Sequence, residues 1–518
     1  MKTVTLVYKI RRAWQYSRAG IGGATREYLR RQRLARRGKE PRKVAGRVFP
    51  QWPVPQPLDP LPTRVAVIAS SSIEMGFSYE WQQVPLSITK WQSELDDSLD
   101  LLLVTSSAVS MRIWEDVPAI LARCTQLSLP SVLWLDDSTV SIDEKLRTQF
   151  TAVVNLPPAV QPMVHNPRVI TVNGKTLKRK NATPIKKIEG LPCKEQLSAY
   201  RMYKYFVDST EQAGGSPSRR HMEINACDGL VCESPAPDGN NDIDRMRQAY
   251  VARQNYWLSN TYRHRANEII KALGNQNAQH SQISVAPMVS TVRPEQLVHV
   301  IEYLAAQRGV DLQPIISTHG FEAPESVRNL ARDLNLEIIW LEQDSHLSLG
   351  SIYNQMIARA DASYIAKMDD DDFYDATYLL DSVLAHRYSE AQIVGKRSTF
   401  VYLESLDSTL LCFEADENKF VHEVAGPTLL CSRDFADEIK FADISTGEDG
   451  DFLRRASQKG AAIYAGSRFG FVRARSSTSH TWAVDNSVFT ANGRQIHAGG
   501  PSKLELPGHF GVLGSLSQ

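Results

Sequence analysis

Nowhere in its 518 residues does the chain carry the roughly 18 to 20 consecutive apolar positions that a membrane-spanning helix needs, and its first residues lack the apolar core of a secretory signal. A cytoplasmic protein is the expectation. Cysteine is scarce: Cys124, Cys193, Cys227, Cys232, Cys412 and Cys431 show no zinc-type pairing, and several sit inside apolar runs, which argues against a disulfide framework or zinc cluster and for reduced structural thiols. No internal repeat is present. With 42% apolar and 23% charged residues, the chain has the composition of a globular protein long enough for two or three domains.

Net charge is only +1, yet residues 1–47 hold 15 Lys/Arg against 2 acids, leaving 44 against 56 elsewhere. This asymmetry points to an anionic partner for the amino-terminal segment. Val7, Ile10, Trp14, Ile21 and Tyr28 lie on a helix-like stripe opposite Arg and Lys, broken by Gly20-Ile21-Gly22-Gly23. A surface helix on an anionic membrane, a helix packed on its own protein and a solvated basic tail all suit such a stripe. Nucleic acid is disfavoured, because nothing else in the chain suggests a nucleic-acid module.

Residues 48–63, rich in proline, read as a stiff linker. An α/β pattern then begins, with strands expected at 65–70, 101–105 and 131–135 and helices at 195–207 and 240–273. We take 64–273 as a first domain, 275–281 as a polar linker, 282–498 as a second domain and 499–518 as a tail. In the second domain strands are expected at 283–290, 312–317 and 337–341, alternating with helices at 294–307, 323–334 and 349–360.

Lys367-Met368-Asp369-Asp370-Asp371-Asp372-Phe373-Tyr374 follows the apolar Tyr364-Ile365-Ala366. Adjacent carboxylates at the end of a buried strand require a compensating cation. In open α/β sheets ligands collect at the carboxyl ends of strands, where such a run suits a hard divalent ion, Mn²⁺ or Mg²⁺, bridging a diphosphate. An EF-hand calcium loop is excluded: its sixth position would be Tyr374 where glycine is needed, and its twelfth Leu380 where glutamate is needed. A two-metal hydrolase stays open. Further on, Gly447-Glu448-Asp449-Gly450-Asp451 opens a helix-like segment, and His480-Thr481-Trp482 follows a strand-like stretch at 468–474. Sugar transfer from a nucleotide donor needs a metal for the departing diphosphate and a carboxylate to take the acceptor proton.

On Val289-Ser290-Thr291, Leu349-Gly350 with Asn354, the acidic run, Gly395-Lys396, Gly426-Pro427-Thr428, the Gly-Glu-Asp element and His480-Thr481-Trp482, the segment 283–482 resembles glycosyltransferase family two, which has the GT-A fold. The resemblance implies metal contacts at Asp369, Asp371, Asp372 and His480, with Asp371 the preferred direct ligand. It further implies a donor site at Thr291, Thr318, Asn354, Lys367, Asp369 and Asp370, and a catalytic base at Asp449 with Glu448 beside it in an inverting displacement. One departure is Ser317-Thr318-His319-Gly320, where many members carry Asp-Asp-Gly-Ser to hold the nucleotide.

The first domain resembles the spore-maturation type of group-one glycosyltransferase, a GT-B architecture, at Trp114, Ser131-Val132-Leu133-Trp134, Gln161-Pro162, His165-Asn166-Pro167, Arg219-Arg220, Glu223 and Tyr262-Arg263-His264-Arg265. That family holds its donor between two acids; Glu223 matches the second, whereas Gly215 stands at the first. Asp228 replaces a glycine that in the family lies beside the donor phosphates, adding bulk and like charge. A scaffold or acceptor-binding role follows for this domain. The whole is expected to be a Rossmann-like, incomplete GT-B domain followed by a GT-A domain. Expected partners are a nucleotide-sugar donor, a cell-envelope glycan or lipid-linked acceptor and an anionic membrane surface, with no nucleic acid. A phosphoester hydrolase and a non-catalytic glycan-binding scaffold are the alternatives.

Overall fold

A computed structural model describes residues 43–44, 47–48, 55–57, 59–137, 139–172, 175–188, 191–208, 218–232, 242–274, 283–475 and 486–504. The amphipathic stripe of residues 7–28, Gly215 and His480 lie outside them. Contacts group residues 40–170 with 177–281 into one compact unit and residues 282–518 into another, to which the short segment Thr171–Thr176 is also assigned. The architecture is mixed α/β with parallel sheets in both units. Among the described residues no helix is long and apolar enough to cross a membrane.

The first unit carries β1 (Leu61–Ile68), β2 (Trp81–Pro85), β3 (Leu101–Thr105), β4 (Ser131–Trp134) and β5 (Ala152–Val154) in one parallel sheet of order β2-β1-β3-β4-β5. Every side chain of β3 and β4 is buried, as expected of strands covered on both faces. β1 begins at Leu61, so the last residues of the proline-rich stretch are strand. Three more strands, β6 (Lys180–Pro184), β7 (Tyr203–Val207) and β8 (Leu230–Cys232), form a separate parallel sheet.

Two expected helices are corrected. The segment 195–207 is helical only in Cys193–Met202; the β-branched and aromatic Tyr-Lys-Tyr-Phe-Val that follows is strand β7. The segment 240–273 is two helices, Asp242–Ser259 and Tyr262–Ala272, because Thr261 starts the second with a capping box: its hydroxyl accepts from the His264 amide while the His264 ring accepts from the Thr261 amide.

The second unit carries β9 (Ser284–Thr291), β10 (Ile315–His319), β11 (Ile339–Gln343), β12 (Tyr364–Lys367), β13 (Phe373–Tyr374), β14 (Ile393–Gly395), β15 (Thr399–Leu403), β16 (Ser408–Cys412), β17 (Lys419–Val421), β18 (Leu430–Ser432), β19 (Ile463–Ala465), β20 (Phe471–Arg475) and β21 (Gly493–Ala498). Its main sheet runs β11-β10-β9-β12-β18-β14-β19-β17, parallel from β11 to β12 and antiparallel across β18. A smaller sheet runs β13-β20-β15-β16-β21. Apolar clusters fill both faces of the main sheet, with Met288, Ile352 and Ile365 on one side and Val285, Val300 and Leu379 on the other. The chain leaves β9 in one direction to β10 and β11 and returns on the other side of β9 as β12. The strand order therefore reverses between β9 and β12, and in open α/β sheets ligands collect outside the carboxyl ends of the strands at such a reversal.

Candidate active site

Both strands that flank this reversal end in polar residues. β9 delivers Thr291 and, two residues on, Arg293; β12 delivers Lys367 and then Asp369 to Asp372. Asp369, Asp371 and Asp372 each offer a carboxylate oxygen, and the three oxygens lie within 4.8 Å of one another. Hard oxygen donors at that spacing fit a Mg²⁺ or Mn²⁺ ion.

The run is held from behind by aromatic side chains. The Tyr374 hydroxyl accepts from the Asp369 amide (2.8 Å) and donates to the Pro427 carbonyl (2.9 Å), and the Tyr303 hydroxyl donates to the Asp369 carbonyl (3.2 Å). The His299 ring nitrogen Nε2 lies 2.8 Å from the Asp372 carbonyl. One Asp372 oxygen accepts from the Ala474 amide of β20 at 2.9 Å, tying the run to the smaller sheet. Burial, and next the Asp371 charge, push the Asp372 carboxyl well above the ordinary carboxylate range.

The four carboxylates do different things. Asp370 is buried in a clamp: Arg293 Nε reaches one oxygen at 3.1 Å, Nη2 takes the other, and the Thr291 hydroxyl donates to the first. Thr291 and Asp370, expected as donor contacts, are in this structure bound to each other and to Arg293. Asp369 accepts from Lys367 Nζ at 3.1 Å. Lys367 is buried, also lies 3.6 Å from Glu448 Oε1, and sits over the Tyr353 ring. Burial would drive its ammonium toward neutrality, but Asp369, Tyr353, Asp449 and Glu448 outweigh that and raise it well above the usual lysine value.

Lys367 thereby links the acidic run to the helix Glu448–Gln458. That helix starts from Gly447, whose φ of +78° is a left-handed conformation that glycine adopts without strain, and its first turn carries Glu448, Asp449 and Asp451, where carboxylates are favoured by the helix dipole. Glu448 is buried and its carboxyl is raised, chiefly by that burial. Asp449 is half-buried, and its Oδ1 accepts from the Gly450 amide at 2.6 Å. Its Oδ2 lies against the Gly426 backbone so closely that a Cβ added there would fall 1.5 Å from it. Gly426 is what leaves room for this carboxylate.

Thr318, next to last in β10, is fully buried, and neither its hydroxyl nor that of Ser317 makes a hydrogen bond among the described residues. Asn354, expected at the donor, bonds to the Phe441 backbone. Its amide donates to the Phe441 carbonyl (2.9 Å) and accepts from the Phe441 amide (2.8 Å), strapping the 441–444 loop to the helix Leu349–Arg359. Gly350 allows the same approach, since a Cβ there would fall 1.8 Å from the Ala442 carbonyl oxygen. Arg293, Tyr303, Tyr353 and Tyr374 were not anticipated as site residues; Arg293, two positions past a strand end, carried the one readable signal.

In the first unit a cavity of about 250 Å³ is lined by Ser72, Gln196, Ser218, Arg219, Arg220 and Glu223. Glu223 accepts from the Tyr200 hydroxyl at 3.1 Å and lies 3.7 Å from Arg219 and 3.8 Å from His165. Burial pushes the Glu223 carboxyl up and takes His165 down to about 3; His165 Nδ1 accepts from the Gln161 amide, as a neutral ring would. Asp228 adopts a φ of +58°, the conformation expected where a relative has glycine, and pairs with buried Arg253. Its charge is met by Arg253.

A mixed α/β unit with an acidic run at its strand reversal and a carboxylate-bearing helix beside it is the class of site defined here. No family model and no curated protein matches the chain. Solved structures do: *S. aureus* TarS is 14% identical over 37% of this chain and 37% of its own, with a TM-score of 0.29. A shorter form, TarS 1-349 in complex with UDP-GlcNAc, is 14% identical over 40% of this chain and 64% of its own (TM-score 0.30). The mannosyltransferase PcManGT from *Pyrobaculum calidifontis*, in complex with GDP-Man and Mn²⁺, is 13% identical over 38% and 58% (TM-score 0.32). Each alignment spans less than two thirds of the solved chain.

Proposed function

We propose that residues 282–498 form a metal-dependent glycosyltransferase domain of the GT-A type, which moves a sugar from a nucleotide-sugar donor to a hydroxyl of a cell-envelope glycan or lipid-linked acceptor with inversion. The observation that carries this reading is the cluster of Asp369, Asp371 and Asp372 at the reversal of the sheet, whose Asp369 is joined through the buried Lys367 to Glu448 of the Asp449 helix. A divalent ion bound by the three carboxylates would neutralise the departing diphosphate. Asp449 takes the proton of the acceptor hydroxyl as its oxygen bonds to the sugar's anomeric carbon and the bond from that carbon to the diphosphate breaks. Lys367 holds Asp369 and Glu448 in place and keeps a positive charge beneath both. In this reading Thr318, near the carboxyl end of β10, belongs to the donor site.

Residues 64–273 serve in this reading as a non-catalytic, GT-B-like support that orients the acceptor, and residues 1–47 as an anchor on the anionic inner face of a membrane. The test uses the full-length protein with UDP- and GDP-sugars. Donor binding should require Mn²⁺ or Mg²⁺, and release of nucleoside diphosphate should require an acceptor. Acceptor-independent release of phosphate or free sugar would instead identify a hydrolase. Sedimentation with phosphatidylserine vesicles, with and without residues 1–47, tests the anchor: equal partitioning of both forms rejects it.

A further inference from the structure

Arg293 sits in the acidic run in a way that donor chemistry alone does not explain. Its guanidinium is anchored by a two-pronged bond to Asp370, whose buried carboxylate has Thr291 as its other partner. The same Nη2 lies 3.0 Å from Asp371 Oδ2, so one nitrogen is shared between an acid that is fully committed and an acid of the candidate metal cluster. Nη1 makes no hydrogen bond among the described residues, and the side chain keeps 22% of its surface exposed. Burial would favour a neutral guanidine, but Asp370 and then Asp371 hold it firmly charged.

We propose that Arg293 is a resident counter-cation that competes with the divalent ion for Asp371 in the donor-free protein, and that an arriving diphosphate relieves the competition. The inference rests on the metal-dependent reading above. A guanidinium tied to a buried carboxylate stays in place when a metal binds, because leaving would strand Asp370 as an unpaired buried charge. Two cations on one carboxylate repel each other, and an anionic ligand touching both, with Nη1 as its donor on the arginine, turns that repulsion into mutual support. Metal and diphosphate are then coupled through Arg293, and by linkage each strengthens the other's binding. Arg293 is a positioning residue for the metal and a direct contact for the diphosphate.

The test measures Mn²⁺ binding by titration of the full chain with MnCl₂ alone, then with MnCl₂ plus UDP or GDP. Arg293→Gln combined with Asp370→Asn removes the guanidinium and its buried partner together, so the net charge of the site is unchanged and no buried carboxylate is stranded. Mn²⁺ alone should bind this double variant at least about 5-fold more tightly than wild type, and the gain from adding nucleotide should shrink by a similar factor. Arg293→Lys keeps a cation for Asp370 but ends one bond short of the Nη2 that reaches Asp371, and should move Mn²⁺ affinity in the same direction. Mn²⁺ affinity within twofold of wild type in both folded variants, with Asp371→Asn still weakening it, overturns the inference and spares the metal reading. Equal Mn²⁺ binding by wild type and Asp371→Asn overturns the metal reading itself, and the inference with it.

Discussion

Gly426→Ala is the sharpest test of the place assigned to Asp449. Gly426 has no positive φ, so alanine meets no backbone strain there, and the obstacle to a methyl group is the Asp449 side chain. The new Cβ would lie 1.5 Å from Oδ2, 2.7 Å from Cγ and 3.2 Å from Cβ of Asp449, whereas real Cβ contacts essentially never fall under 3.0 Å. The carboxylate must therefore retreat by about 1.5 Å, and a misplacement of about 1 Å at a reacting group costs on the order of 10²-fold in rate. Because Asp449 is half-buried and moves by side-chain rotation, thermal stability should fall by less than about 1 kcal/mol, as for a change that opens no cavity and strands no charge. Donor-dependent transfer is measured under saturating donor, with Mn²⁺ binding followed in parallel. The expected result is a loss of about 10² in turnover with metal binding unchanged. The control is the same substitution in an Asp449→Asn background, itself expected to be slower by about 10² to 10⁴-fold, where Gly426→Ala should add little. Full activity of Gly426→Ala, or an equal further loss in the Asn background, would refute the assignment of Asp449 as the base.

Three other outcomes follow. Asp371→Asn should reduce turnover by at least about 10²-fold and weaken Mn²⁺-dependent donor binding, since charge stabilisation by a metal is worth several kcal/mol; unchanged turnover of wild type after chelation would contradict it. His165, buried and taken from 6.5 down to about 3, stabilises the protein fully above pH 6.5 and loses that contribution as the pH falls toward 3; Arg201 and Arg219 add to burial, while Glu223 lies beside it. His165→Gln should flatten this acid limb, bounded at about 5 kcal/mol, in urea unfolding compared at pH 7 and pH 4; an unaltered pH dependence refutes it. Glu223→Gln should leave overall transfer within a few fold of wild type, and selective loss of one of two linkages would reveal a second active centre in the first unit.

The alternation of strands and helices was legible because buried parallel strands read as apolar runs, and β3 lies where it was expected, at Leu101–Thr105. The helix boundaries at residues 202 and 260 were not, since a switch of period within one continuous polar-apolar pattern is decided by capping and sheet pairing that a window of sequence does not contain. The acidic run announced itself through the cost of burying adjacent charge. What could not be read was which carboxylate faces which cation. Asp370 and Asp371 are neighbours in sequence, yet only Asp370 is committed to a clamp, and the difference comes from Arg293, 77 positions from Asp370. Asn354 likewise braces a loop, at Phe441, that lies 87 positions from it.

The distribution of cations explains why five acids can share so small a space. Asp369 and Glu448 are met by Lys367, Asp370 by Arg293, and Asp371 by the edge of that same guanidinium and by the charge of Arg475, while Asp372 leans on one backbone amide and on the charges of Arg473 and Arg475. The fixed cations thus satisfy the acids that frame the site and leave Asp371 and Asp372 underpaid in charge. Because a fixed guanidinium or ammonium has a preset direction and a metal ion does not, that residual demand is best met by an ion that also has room for ligands from outside the protein. Replacing Lys367 with a neutral residue would strand Asp369 and Glu448 at once, so its loss should appear first as instability of the helix Glu448–Gln458 and only through that as lost chemistry.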